Sequence, residues 1–74
     1  MNKDNHAVDA HNEAAQAHES TARSHRAAAE HCHKGHHEQC EHHAKEALEL
    51  STKAHAASKL AHEKSAQPVA AAAK

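Results

Sequence analysis

The 74-residue sequence contains no Phe, Trp, Tyr or Ile, one Gly, one Pro and one Met. Its larger aliphatic residues are Val8, Leu48, Leu50, Leu60 and Val69, with Met1. A chain this short is marginal for burying a core, and this one has few large groups to bury. Any fold must rest on local helix propensity, close small-residue packing, oligomerisation or a metal. No apolar run approaches the ~20 residues of a membrane span. The formal net charge is −1 with histidine neutral, and the two signs are interspersed. That pattern excludes a basic patch for nucleic acid and a polybasic membrane anchor. The opening "MNKDNHAVDA" is polar where a signal peptide would be apolar, so the chain is either cytosolic or a mature form without its leader. Nothing suggests an enclosed apolar pocket for catalysis, and the C-x-x-C-H haem-attachment motif is absent. An enzyme is not expected.

What the sequence does have is alanine as its commonest residue, frequent Glu and Lys, and twelve histidines. Ala, Glu and Lys favour helix strongly. Asp4 and Asn5 are candidate N-caps. No Gly or Pro interrupts residues 6 to 33. Gly35 suits the left-handed position that ends a helix, and Pro68 marks a stop. These signals predict a single domain, 1–74, with a helix over 5–33, a turn at 34–36, a second helix over 37–66 and a frayed tail at 67–74. Each helix is about 28 residues, or roughly 42 Å. With so short a turn they must lie antiparallel, as a helical hairpin in the all-α class.

Heptad repeats locate the seam. On the first helix Ala7, Ala14, Thr21 and Ala28 recur every seven residues, as do Ala10, Ala17, Ser24 and His31. On the second the columns are Cys40, Ala47, Ala54, Ala61 and Ala44, Ser51, Ser58, Ser65. Small residues let helices approach closely, but they supply modest apolar area. Leu48, Leu50 and Leu60 share no single face, so some could pack against a second copy, giving a homodimeric four-helix bundle.

The histidines are patterned too. His11, His18, His25 and Cys32 form one flanking heptad column, and Glu41, Leu48, His55 and His62 form another. In a hairpin folded about Gly35, facing residues have position numbers that add to roughly 70–74. His11 is then expected opposite His62, and His18 opposite His55. Each pair offers two imidazoles, enough for a modest metal site completed by a carboxylate or water. Solvated surface is the plain alternative for any single histidine.

Near the turn, "EHCHKGHHEQCEHH" concentrates six histidines and both cysteines. Cys32 and His36, His36 and Cys40, and His33 and His37 are each four apart, and Cys40 and His43 three apart. Those spacings place side chains on one helix face, except where a pair spans the turn. The candidate metal ligands here are His31, Cys32, His33, His36, His37, Cys40 and His43, with His11, His62, His18 and His55 along the stem. A group of Cys32, Cys40, His36 and one of His31 or His43 would suit Zn(II) or Cu(I). Imidazoles alone would suit Cu(II), Ni(II) or Zn(II). The alternatives for the cysteines are a Cys32–Cys40 disulfide, whose short loop limits its stabilisation, or uninvolved thiols. His36 and His37 open the second helix, where the dipole disfavours imidazolium, while His31 and His33 close the first, where it favours it. Metal uptake through imidazole should weaken below about pH 6, because a ligand of reference pKa about 6.5 is then protonated.

The segment "KGHHEQCEHHAKEAL", Lys34 to Leu48, resembles the repeated unit of the bacterial small metal-binding protein family, histidine-rich periplasmic proteins with repeats of the type G-H-x-[DE]-Q-x-x-x-H-A-K-E-[AS]-L. The matching positions are Gly35, His36, Glu38, Gln39, His43, Ala44, Lys45, Glu46, Ala47 and Leu48. The resemblance implies a helical binder of several copper, nickel or zinc ions in the periplasm, serving in buffering or detoxification. The chain departs from the pattern in having one G-H turn and two cysteines. The expected function is transition-metal buffering, scavenging or storage. The alternative is a structural hairpin module that pairs with another chain and carries a pH-sensitive histidine face.

Overall fold

The computed structural model describes the backbone of residues 3–73 and the side chains of residues 6–66. It is an antiparallel hairpin of two helices, α1 (Lys3–His33) and α2 (His37–Ala73). The molecule measures 58 × 16 × 13 Å, a rod whose length is that of α2. Helix α1 begins at Lys3, so Asp4 and Asn5 lie within its first turn rather than ahead of it. Helix α2 continues through Pro68 to Ala73, past the end predicted at 66 and into the segment predicted to fray. Proline removes its own i→i−4 hydrogen bond and crowds the carbonyl of residue i−4, but the alanine run that follows has the highest helix propensity.

The reversal is a Schellman motif. Gly35 takes a φ of 79°. Its N–H donates to the Cys32 carbonyl at 3.1 Å, and the His36 N–H donates to the His31 carbonyl at 2.9 Å. These are the two bonds that satisfy the last orphan carbonyls of a helix whose C′ residue is left-handed. The His36 carbonyl then accepts from the Cys40 N–H at 2.8 Å, so His36 ends one helix's cap and starts the next helix. An L residue at position 35 would meet no neighbour within 4 Å. Glycine is needed there for its φ, not for space.

The seam is built from small residues, as the heptads require. Ala10, Ala14, Ala28, Thr21 and Ser24 of α1 and Ala47, Ala54 and Ala61 of α2 are buried, the α2 alanines to 0%, 0% and 1% exposure. Ala10, Ala14 and Ala61 cluster with Ala57 toward the open end. Each buried methyl contributes on the order of 0.8 kcal/mol. The two polar seam residues are satisfied, because Thr21 donates to the Ala17 carbonyl at 2.9 Å and Ser24 to Glu46 Oε1 at 3.4 Å. Val8, Leu48 and Leu60 remain exposed, Leu48 to 67%.

One seam column differs from expectation. Ala44 and Ser51 are exposed, whereas His43 and Leu50 are half-buried at the same levels. Farther from the turn Ala57, Ser58, Lys64 and Ser65 are all half-buried. The buried face thus moves from the 43/50 column toward 58/65. A straight helix of 3.6 residues per turn drifts by about 20° per heptad against a strict seven-residue repeat, and the contact line follows that drift.

Candidate metal centre

In a Schellman motif the side chains at C3 and C″ meet, and the pair is commonly hydrophobic. In this turn the C3 residue is His31 and the C″ residue is His36. Their Nδ1 atoms stand 3.3 Å apart, with ring centroids at 5.5 Å. Two imidazole nitrogens on one tetrahedral zinc, at Zn–N distances of about 2.0–2.1 Å, stand about 3.3–3.4 Å apart. The separation also suits a hydrogen bond if one ring carries its proton on Nδ1. If neither does, two lone pairs confront each other across a gap of the size a metal ion fills.

A third ring adjoins the pair. His43, on the second turn of α2, stacks on His31 with centroids 5.2 Å apart and planes 9° from parallel. His42 approaches His43 edge-on at 5.4 Å. The His43 Nδ1 is buried and has no hydrogen-bond partner among the described residues. Glu46 Oε1 lies 3.4 Å from it, close enough to attract an imidazolium but not hydrogen-bonded to it. An unpaired buried nitrogen is costly, and it leaves His43 a donor atom with nothing to bind. Among the described residues, however, no three His, Cys, Asp or Glu side chains converge as a ready-made metal site.

The cysteines form a disulfide, Cys32 to Cys40, with Cα atoms 4.9 Å apart. Neither is free. Of the three expected alternatives the disulfide is the one present, so the four-ligand group of Cys32, Cys40, His36 and His31 or His43 does not exist in this state. The cause is the turn itself. It sets the C2 residue of α1 against the first turn of α2, within bonding reach.

The stem histidines are placed differently from the expected ladder. His11 Nε2 meets Ser65 Oγ at 2.7 Å, and His18 Nε2 meets Ser58 Oγ at 2.7 Å. Each partner lies three residues beyond the expected His62 and His55. At 100° per residue, His62 lies 100° around α2 from the buried Ala61 and Ser65 only 40° from it. The serines therefore face α1 while His55 and His62 are exposed flank. Ser65 Oγ already donates to the Ala61 carbonyl at 2.9 Å, so His11 Nε2–H is the donor in its pair. His33 and His37 are exposed, and neither joins the ring contacts of the turn.

Of the eleven candidate ligands, then, His31 meets His36 and stacks on His43, Cys32 and Cys40 bond to each other, and His11 and His18 bind serines. Residue spacing passed over three partners: Ser58, Ser65 and Glu46. Glu46 was legible, three residues after His43 on one helix face. Ser58 and Ser65 stand in the Ala44, Ser51, Ser58, Ser65 seam column, on the same face as the α1 contact. No helix among the described residues is long and apolar enough to cross a membrane. No family model, curated protein or solved structure matches the chain.

Proposed function

We propose that this hairpin binds a transition-metal ion at its turn, with His31 and His36 as the founding pair and His43 as the third imidazole. The observation that carries the reading is the 3.3 Å Nδ1–Nδ1 separation of His31 and His36. The unpaired His43 Nδ1 supports it, since that ring stacks on His31 and its buried nitrogen has no hydrogen-bond partner among the described residues. With the cysteines disulfide-bonded, an all-imidazole set suits Cu(II), Zn(II) or Ni(II). Solvent or Glu46 would complete the shell. A site this open fits reversible buffering or storage rather than a permanently held structural ion. The disulfide favours an oxidising compartment, in keeping with the periplasmic location that the resemblance of Lys34–Leu48 implies. Native mass spectrometry of the oxidised chain with Zn(II) and Cu(II) tests the reading. His31→Ala/His36→Ala should lose the tightest-bound ion, whereas His55→Ala/His62→Ala should keep it. Equal uptake by the two variants would place the metal elsewhere.

The exposed Leu48, Leu60 and Val8 favour a second reading, a hairpin that pairs with a further helical chain, including its own copy. Sedimentation of the metal-free chain over a concentration series separates the two: a monomer at all concentrations removes the self-pairing form of it.

A further inference from the structure

We propose that the Cys32–Cys40 disulfide is a redox gate on the turn site: its reduction yields two thiolates that join His31 and His36 around one zinc ion, and its oxidation leaves that ion only the weaker imidazole donors. The inference rests on the reading of His31 and His36 as ligands and adds what changes their ligand set.

The four residues are held by one backbone device. His31 and Cys32 are the C3 and C2 residues of the Schellman motif, each accepting one of its two hydrogen bonds, from His36 and Gly35 respectively. His36 is the C″ residue, and Cys40 sits one helical turn after it, its N–H bonded to the His36 carbonyl. The nitrogens of one pair are 3.3 Å apart and the Cα atoms of the other 4.9 Å apart. Two thiolates on one zinc stand about 3.8 Å apart, given Zn–S distances of about 2.3 Å. Rotation about χ1 of each cysteine reaches that separation from the observed Cα positions. These are the only two cysteines in the chain, and both fall within a helical turn of the histidine pair. The turn is already closed by its own backbone bonds, so the hairpin keeps its reversal when the disulfide opens. Cys32 is exposed, which leaves its sulfur open to an incoming nucleophile.

The chemistry balances with a dithiol as reductant. Its thiolate attacks Cys32 Sγ, the Sγ–Sγ bond breaks, and Cys40 leaves as a thiolate. The second thiol of the reductant then resolves the mixed disulfide. The reductant ends as a disulfide, and Cys32 and Cys40 end as two thiols. Zinc binding displaces their two protons. In the reverse direction a disulfide oxidant takes two electrons from the two thiolates, the Cys32–Cys40 bond re-forms, and zinc is left with the weaker imidazole donors alone, from which a competing chelator removes it. Opening the gate also changes metal class, from ions that accept imidazole alone toward Zn(II) and Cu(I), which favour thiolate.

The test uses the full chain and Zn(II), titrated against a chromophoric chelator before and after reduction. A phosphine is the reductant, because a dithiol would compete for zinc. It is oxidised to the phosphine oxide as water supplies the oxygen and the two thiol protons. The expected result is zinc binding at least about 100-fold tighter after reduction. Zinc should then shield both cysteines from alkylation by iodoacetamide, and a disulfide oxidant should release it. Cys32→Ser/Cys40→Ser should bind no better under phosphine than without it, and reduced His31→Ala/His36→Ala should lose most of the gain. Circular dichroism checks that the serine variant is helical; if it is not, alkylation shielding in the unmodified chain decides. Equal affinity before and after reduction overturns the gate and leaves the imidazole site standing. Tight binding by the reduced His31→Ala/His36→Ala chain overturns the joint ligand set. Absence of zinc binding in both states overturns the gate and the metal-binding reading together.

Discussion

Opening the Cys32–Cys40 disulfide should cost the metal-free hairpin about 2.5 kcal/mol. The figure follows from the sequence separation of eight residues and the loop-closure entropy that the bond removes from the unfolded chain. The native contacts are barely involved, because Cys32 is exposed and the turn carries its own hydrogen bonds. The stabilisation therefore acts through the unfolded state. For a chain of this size a loss of 2.5 kcal/mol corresponds to a fall in Tm of roughly 10–20 °C. The assay is thermal unfolding followed by circular dichroism, with a chelator present so that metal cannot substitute for the bond. Oxidised chain, phosphine-reduced chain and Cys32→Ser/Cys40→Ser are compared, and the last two should agree. A fall of less than about 3 °C in both would refute the reasoning. It would mean that the unfolded ensemble already keeps the turn closed, as a strongly helical chain with a persistent Gly35 turn could do.

Gly35→Ala should lower stability by about 1–2 kcal/mol, the cost of holding an L residue in the left-handed region, with no steric contribution since nothing lies within 4 Å. Unfolding of the oxidised chain measures it, and the same variant should weaken metal uptake because the left-handed residue is what sets His31 against His36. The His11–Ser65 rung should show a small favourable coupling, up to about 1 kcal/mol, in a double-mutant cycle with alanine at both positions. The corresponding His11–His62 cycle should show none, and coupling there instead would restore the other register.

The hairpin, its Ala-rich seam and the crowding of ligands at its turn could all be read from residue order. Gly35 is the single glycine between two glycine-free helical stretches, and its φ of 79° is the one its position demanded. The heptads of Ala14, Thr21, Ala28 and of Ala47, Ala54, Ala61 are buried, because a helix can bury only what shares its face. The end of α2 was less legible. Pro68 reads as a stop because proline removes a hydrogen bond and crowds the preceding turn, but α2 runs on to Ala73 through alanines of the highest helix propensity. The histidine pairing was misplaced by three residues, from His62 and His55 to Ser65 and Ser58. An error of that size moves a side chain by 60° around the helix, enough to change which groups touch.

By itself the sequence determined that there would be two helices, where the chain would reverse, and that small residues would line the contact. Those outcomes depend on local propensity and on periodicity within one helix, which neighbouring residues settle among themselves. Only the tertiary structure decided that His31 meets His36 and stacks on His43, that Cys32 bonds Cys40, and that His11 and His18 bind serines. Each of those contacts depends on the rotation of one helix against the other or on the closing geometry of the turn. A drift of a few tens of degrees there selects among adjacent columns, and no spacing along one chain segment encodes it.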